Sequence, residues 1–219
     1  MGADEVLAFP FDAATGHVGP KVRAYRAAPG SGPRHLLAQP GLMYLLNELG
    51  NTLVVLRPEP GGTLTEVQAV STLPPGFADD SHTAHLGMRA DGRYLYVSNR
   101  GHDSLTAFAV GPDGLVTPCQ WIPSGGRWPW FFALTDDGRM IVANNLSDNI
   151  TIFDIDPHGR LHPSDQVAVR RPVFISSAGR PPSATSAAWT SGLATSERPA
   201  GSLRCHDSLQ REARQPGPN

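Results

Sequence analysis

Short apolar runs with a two-residue alternation recur over the first 175 residues, each bounded by Gly, Asp, Asn or Pro. Such alternation marks half-buried strands, and the Asp-Gly pairs between runs mark hairpin turns. Three similar units stand out. The first comprises residues 35–38, 41–48 and 52–56, with a turn at Gly50-Asn51 and an end near Gly61-Gly62. The second comprises 85–88, 91–100 and 104–108, turns through His102-Asp103 and closes at Pro112-Asp113-Gly114. The third comprises 131–134, 137–145 and 149–153, turns at Ser147-Asp148 and closes at Pro157-His158-Gly159. The asparagines that end each second strand, Asn47, Asn99 and Asn144, are 52 and 45 residues apart.

That period predicts an all-β chain of propeller blades, each a small four-stranded antiparallel sheet. One such sheet cannot bury both faces, so neighbours must stack on it. Tyr94 and Tyr96 alternate into a sheet interface and are expected in the core. Both ends carry partial units. Residues 6–9, with Asp12 and Thr15-Gly16, match the third strand and turn of a preceding blade, and residues 172–175 match the opening strand of a following one. The expectation is a partial ring of about three and a half blades, short of the roughly four needed to close. Residues 1–175 therefore read as a partial β-propeller. From 176 to 219 Ser, Ala, Arg, Pro and Gly dominate, and the large apolar residues are Trp189, Leu193, Leu203 and Leu209. This composition reads as a disordered tail, because it cannot bury enough apolar area to offset the entropy of ordering.

Charge and cysteine content narrow the partners. A formal net charge of -2 and no Lys/Arg-rich run argue against nucleic acid or a membrane surface, so any anion recognition must be local. Cys119 and Cys205 lie far apart and outside metal-ligand spacing, which fits a reducing, cytoplasmic setting. No basic region followed by an apolar stretch opens the chain, and no apolar window is long enough to span a bilayer. The sequons at Asn145 and Asn149 read as chance. His82 and His85 resemble half a metal site, but three-residue spacing on a strand points them to opposite faces. Neither a metal nor an organic cofactor is expected. The chain also lacks a Gly-x-Ser-x-Gly elbow, a phosphate loop and a His-Glu-x-x-His motif.

The repeat places different residues at equivalent stations. Glu48, Arg100 and Asn145 each follow a marker asparagine, and His35, His85 and Phe131 form a second set, with Arg34 and Trp130 one step before the first and last. Variation at symmetric stations suggests a site, because structural positions in a repeat tend to look alike.

The motifs Gly32-Pro33-Arg34-His35, Asn47-Glu48-Leu49, the run from Asp91 through Asn99-Arg100-Gly101, and Ser147-Asp148-Asn149-Ile150 resemble the seven-bladed lactonase family. That family includes propeller 6-phosphogluconolactonases and the fungal carboxymuconate cyclase. The resemblance covers residues 5–175 and implies the C-terminal half of a ring, with a site at one mouth of the central channel. A small-molecule lactone, phosphorylated or acidic, is the implied substrate, opened by base-activated water. His35 fits the base and Glu48 its orienting or alternative partner. Arg100 and Arg34 suit bidentate binding of phosphate or carboxylate. Asn47, Asn99, Asn145, His85 and Arg127 complete the expected substrate contacts.

Other readings stay open at this point. Glu48 with Arg100 suits an ion pair between neighbouring blades as well as a substrate role. Trp128 and Trp130 suit stacking on a sugar ring or plain packing beside prolines. Trp130 stands where the family has an arginine, a loss worth about two to three orders of magnitude in rate, with Arg127 as a candidate substitute. His85 stands where a glutamate is usual. The alternatives to lactone hydrolysis are cyclase-type lactone isomerisation, or a non-catalytic propeller fragment acting as a binding module. Unpaired blade edges are expected to favour self-association.

Overall fold

The computed structural model describes residues 3–176, so the expected tail from residue 177 onward lies outside the described residues. Three four-stranded antiparallel sheets follow one another along the chain. The first holds β5 (Pro33–Gln39), β6 (Leu42–Asn47), β7 (Thr52–Pro58) and β8 (Leu64–Ser71). The second holds β9 (His82–Met88), β10 (Tyr94–Arg100), β11 (Ser104–Val110) and β12 (Val116–Pro123). The third holds β13 (Pro129–Leu134), β14 (Arg139–Asn144), β15 (Asn149–Ile155) and β16 (Leu161–Ala168). Ahead of them, β1 (Glu5–Ala8) pairs with β4 (Val22–Arg26), and β2 (Phe11–Asp12) pairs with β3 (His17–Val18) at the tip of the same hairpin. Among the described residues no helix is long and apolar enough to cross a membrane.

Strand alternation builds the stack. On β10, Leu95 and Val97 face the first sheet, packing with Tyr44, Leu46, Leu53 and Val55. Tyr94 and Tyr96 point the other way, into a cluster with Phe132, Met140, Val142 and Phe153 of the third sheet. A one-residue slip would exchange these two faces, so both interfaces together hold the register. At the front, Leu45, Val54 and Leu56 pack with Val6 and Tyr25 of the leading hairpin.

Two polar contacts repeat at each interface. The Tyr44 hydroxyl donates to the Gly114 carbonyl (2.9 Å), as Tyr96 does to Gly159 (3.1 Å). The Gln68 amide brackets Val116, donating to its carbonyl at 2.9 Å and accepting from its N–H at 2.8 Å; Gln120 brackets Leu161 in the same way at 3.0 and 2.7 Å.

The segment expected to open a following blade differs from its prediction. Residues 172–175 form no strand, and Ser176 makes only an isolated bridge. The side chains there still pack on the third sheet: Ile175 joins Ala143 and Ile150, and the Phe174 ring lies 4.5 Å from that of Phe131. The apolar pattern thus reports the burial of Ile175 but not of Phe174, which stays exposed; ladder formation requires a neighbouring strand to pair with.

Candidate functional site

Each sheet begins with the same irregularity. Pro33, Thr83 and Pro129 pair with the marker asparagines Asn47, Asn99 and Asn144, and the register then slips by one residue in all three inner strands. The bulge falls at Arg34, Ala84 and Trp130. A bulge turns a side chain out of the pleat and is common beside functional sites. The residue preceding each proline is left-handed, Gly32 at φ 63° and Trp128 at φ 63°. Glycine adopts this freely, whereas tryptophan does so at a cost and needs support. Asp103 supplies it, its Oδ1 accepting the Trp128 N–H at 2.7 Å.

The loops after the second strands complete the mouth. Glu48 follows β6 and accepts hydrogen bonds from Arg34 Nη1 at 2.8 Å and from Arg100 Nη2. Arg34 Nε also donates to the Ala84 carbonyl (2.7 Å), and Arg100 Nη2 to the Thr83 carbonyl (3.0 Å). Three charged groups from two blades are therefore locked together, with Glu48 5% and Arg100 4% exposed. The Arg100 guanidinium also lies 5.4 Å from the Trp128 ring and 4.9 Å from that of Trp130. Such cation–π contacts gain strength when the cation is desolvated.

Titration follows from this geometry. Burial alone would raise the Glu48 carboxyl, but hydrogen bonds and charge from Arg100 and Arg34 outweigh it and hold the group below its usual range. His35 is pushed below the ordinary imidazole value by burial and then by the Arg34 charge, with Glu48 opposing. Its ring stands edge-on to that of His85, centroids 5.3 Å apart. His85 is driven down to about 3, by burial first and then by His35 and Arg34. It packs against Phe131 at 4.2 Å and Phe132 at 4.7 Å, and its buried Nδ1 has no partner among the described residues. Both imidazoles are neutral at pH 7, as an acceptor of a proton from water must be.

The chain matches the family described as "Lactonase, 7-bladed beta-propeller" over residues 1–177. It belongs to that family. It is 35% identical over 140 residues to the 6-phosphogluconolactonase of Bacillus subtilis, an alignment covering 61% of this chain and 40% of that protein. It is 32% identical over 168 residues to the 6-phosphogluconolactonase of Sodalis glossinidius, covering 74% of this chain and 51% of the other. The periplasmic gluconolactonase of Pseudomonas aeruginosa superposes with a TM-score of 0.70 at 32% identity, over 78% of this chain and 50% of that structure. This lactonase-family chain thus spans about half the length of these relatives.

Not every expected residue joins the cluster. Arg34, His35, Glu48, His85 and Arg100 come together, while Arg127 is exposed and its guanidinium has no hydrogen-bond or ion-pair partner among the described residues. Asn145 opens a 3-10 turn, its N–H donating to the Trp128 carbonyl at 3.1 Å. Asn47 and Asn99 lie outside the cluster, and their amide nitrogens are engaged within the sheets. Both side chains are buried, with the Asn47 amide on Thr52 (3.0 Å) and the Asn99 amide on Ser104 (3.1 Å) and Thr106 (3.0 Å), tying the second strand to the third. Asn144 does the same with Thr151 at 3.0 Å, which explains why this residue type recurs at the station. Trp128, which lies against Arg100, and Asp103, which fixes the Trp128 backbone, take roles that the sequence reading did not assign. The signal available was the matching Gly32-Pro33 and Trp128-Pro129 pairs.

Proposed function

We propose that this chain's channel mouth hydrolyses a sugar lactone, phosphorylated or acidic, without a metal or organic cofactor. The observation that carries the reading is a neutral, half-buried His35 beside a guanidinium pair preorganised by Glu48. A His35 ring nitrogen takes a proton from water as the oxygen attacks the lactone carbonyl carbon. The carbonyl π electrons move onto oxygen, where the Arg34 guanidinium stabilises the charge. Arg34 suits this role because its side chain is 21% exposed and its Nη2 has no partner among the described residues, whereas Arg100 lies buried behind it. Collapse of the tetrahedral intermediate breaks the ring C–O bond, and the His35 proton passes to the departing alkoxide. The product is the open aldonic acid.

The named activities of the Bacillus and Pseudomonas relatives support a sugar lactone, and Cys119, without a disulfide partner among the described residues, supports a reducing, cytoplasmic setting. The test is acid release, followed at constant pH, from 6-phosphogluconolactone, glucono-1,5-lactone and carboxymuconolactone. We expect turnover of a sugar lactone above its spontaneous rate. Turnover of carboxymuconolactone alone, or of none, would overturn the reading.

A further inference from the structure

We infer that Trp130 is the platform on which the substrate's pyranose ring stacks, so that this mouth selects its lactone by an apolar ring face more than by a charged substituent. The inference rests on the proposed lactone reading for the identity of the ring, and on a different residue for its recognition.

The three bulge stations form a graded series. The first presents a cation, Arg34; the second presents Ala84, which adds almost no volume; the third presents Trp130. Going round the mouth, a polar handle is followed by the fully buried Ala84 and then by an aromatic face. Trp130 is 37% exposed, whereas Phe132, two residues further along the same strand, is buried. An indole has two faces. Arg100 covers one of them at 4.9 Å, and no other ring or cation of the described residues stacks on Trp130. The guanidinium is fixed by Glu48 and by the Thr83 carbonyl, so the indole rests on a rigid support rather than on a mobile side chain.

Charge points the same way. Arg34 and Arg100 share the single carboxylate of Glu48, which leaves the cluster about one net positive charge, and His35 and His85 are neutral at pH 7. The third station carries no cation, and Arg127 stands outside the cluster. Among the described residues of the cluster, a doubly charged phosphoryl group would meet only the outer edge of Arg34, a thin basis for recognition. The C–H face of a pyranose, by contrast, matches an exposed indole in size and in its apolar character. With the ring on Trp130, the lactone carbonyl is directed toward Arg34 and His35.

The probes are 1,5-anhydroglucitol, a neutral pyranose with no carbonyl to hydrolyse, and its 6-phosphate. Affinity is measured by titration calorimetry for every variant, and in wild type the contact is also read from the Trp130 indole N–H resonance, assigned by its absence in Trp130→Phe. Wild type should bind both probes with similar affinity and shift this resonance. Trp130→Ala should weaken both about three- to tenfold, the range expected for one aromatic stacking contact. Trp130→Phe should keep most of the affinity. Trp130→Arg should lose the neutral probe and retain or strengthen the phosphate, reversing the preference. Thermal unfolding of each variant confirms that it is folded. Unchanged affinity in Trp130→Ala, binding of the phosphate alone by wild type, or binding of neither probe would overturn the inference. Lactone turnover with no effect of Trp130→Ala would sink this inference and leave the proposed function standing. Stacking of the neutral probe without turnover of any lactone would do the reverse.

Discussion

The Arg100 guanidinium of the second sheet donates to the Glu48 carboxylate of the first, and neither side chain is more than 7% exposed. This pair crosses a blade interface and also shapes the mouth, so the two readings open at the level of sequence are compatible. A buried ion pair contributes little net stability when intact, yet removing one partner leaves an uncompensated charge.

Glu48→Gln should therefore cost about 3 kcal/mol of folding stability, measured by urea denaturation at pH 7. The pH dependence carries the same signature. The folded Glu48 carboxyl lies below its ordinary value of 4.5, so its contribution is present above that value and is lost as the pH falls through the folded one. Wild type should lose stability more steeply than Glu48→Gln on acidification below about pH 4.5. Parallel curves would contradict this.

His85 predicts a second acid-linked loss. Its folded value of about 3 lies far below the ordinary 6.5, so folding favours the neutral ring, and stability present above 6.5 is lost as pH falls toward 3. His85→Phe, which copies Phe131 at the equivalent station, should flatten that part of the stability curve. NMR titration should find His85 unprotonated at pH 5.

The interface clamps are testable away from the mouth. Gln120→Ala removes both partners of Leu161 and should destabilise by about 1–3 kcal/mol, the cost of leaving buried backbone groups unsatisfied. Gln68→Ala should behave alike at the preceding interface, since Val116 has the same two contacts.

Two glycines with the same backbone angle should respond differently. Gly92 and Gly159 both sit at φ 71°, but a Cβ on Gly92 meets open space, whereas one on Gly159 strikes the Tyr94 ring. Gly92→Ala should cost about 1 kcal/mol from conformation alone. Gly159→Ala should cost clearly more, because the second and third sheets would have to part. Equal melting temperatures for the two variants would contradict the interface described above.

Much of the fold was legible because the repeat is written in residues whose role is local. Period-two alternation placed Leu95 and Tyr96 on opposite faces, and the marker asparagines brought Glu48 to one end of the sheets with Arg100. What escaped the sequence depends on register and on partners from other blades. The bulge at Arg34, Ala84 and Trp130 appears only once Pro33 is seen opposite Asn47 and His35 opposite Leu46. The amide contacts of the repeated asparagines to Thr52, Ser104 and Thr151 across the hairpin likewise emerge only from the pairing of the strands. Gln68 and Gln120 carried no local signal, since the groups they bracket lie 48 and 41 residues further along the chain.

The most direct test of the central claim is the rate of sugar-lactone hydrolysis at pH 7 by wild type and by His35→Ala in the same buffer. A neutral imidazole acting as the base predicts a loss of about a hundredfold or more, with affinity for the neutral pyranose probe unchanged. An unchanged rate in His35→Ala would contradict the account.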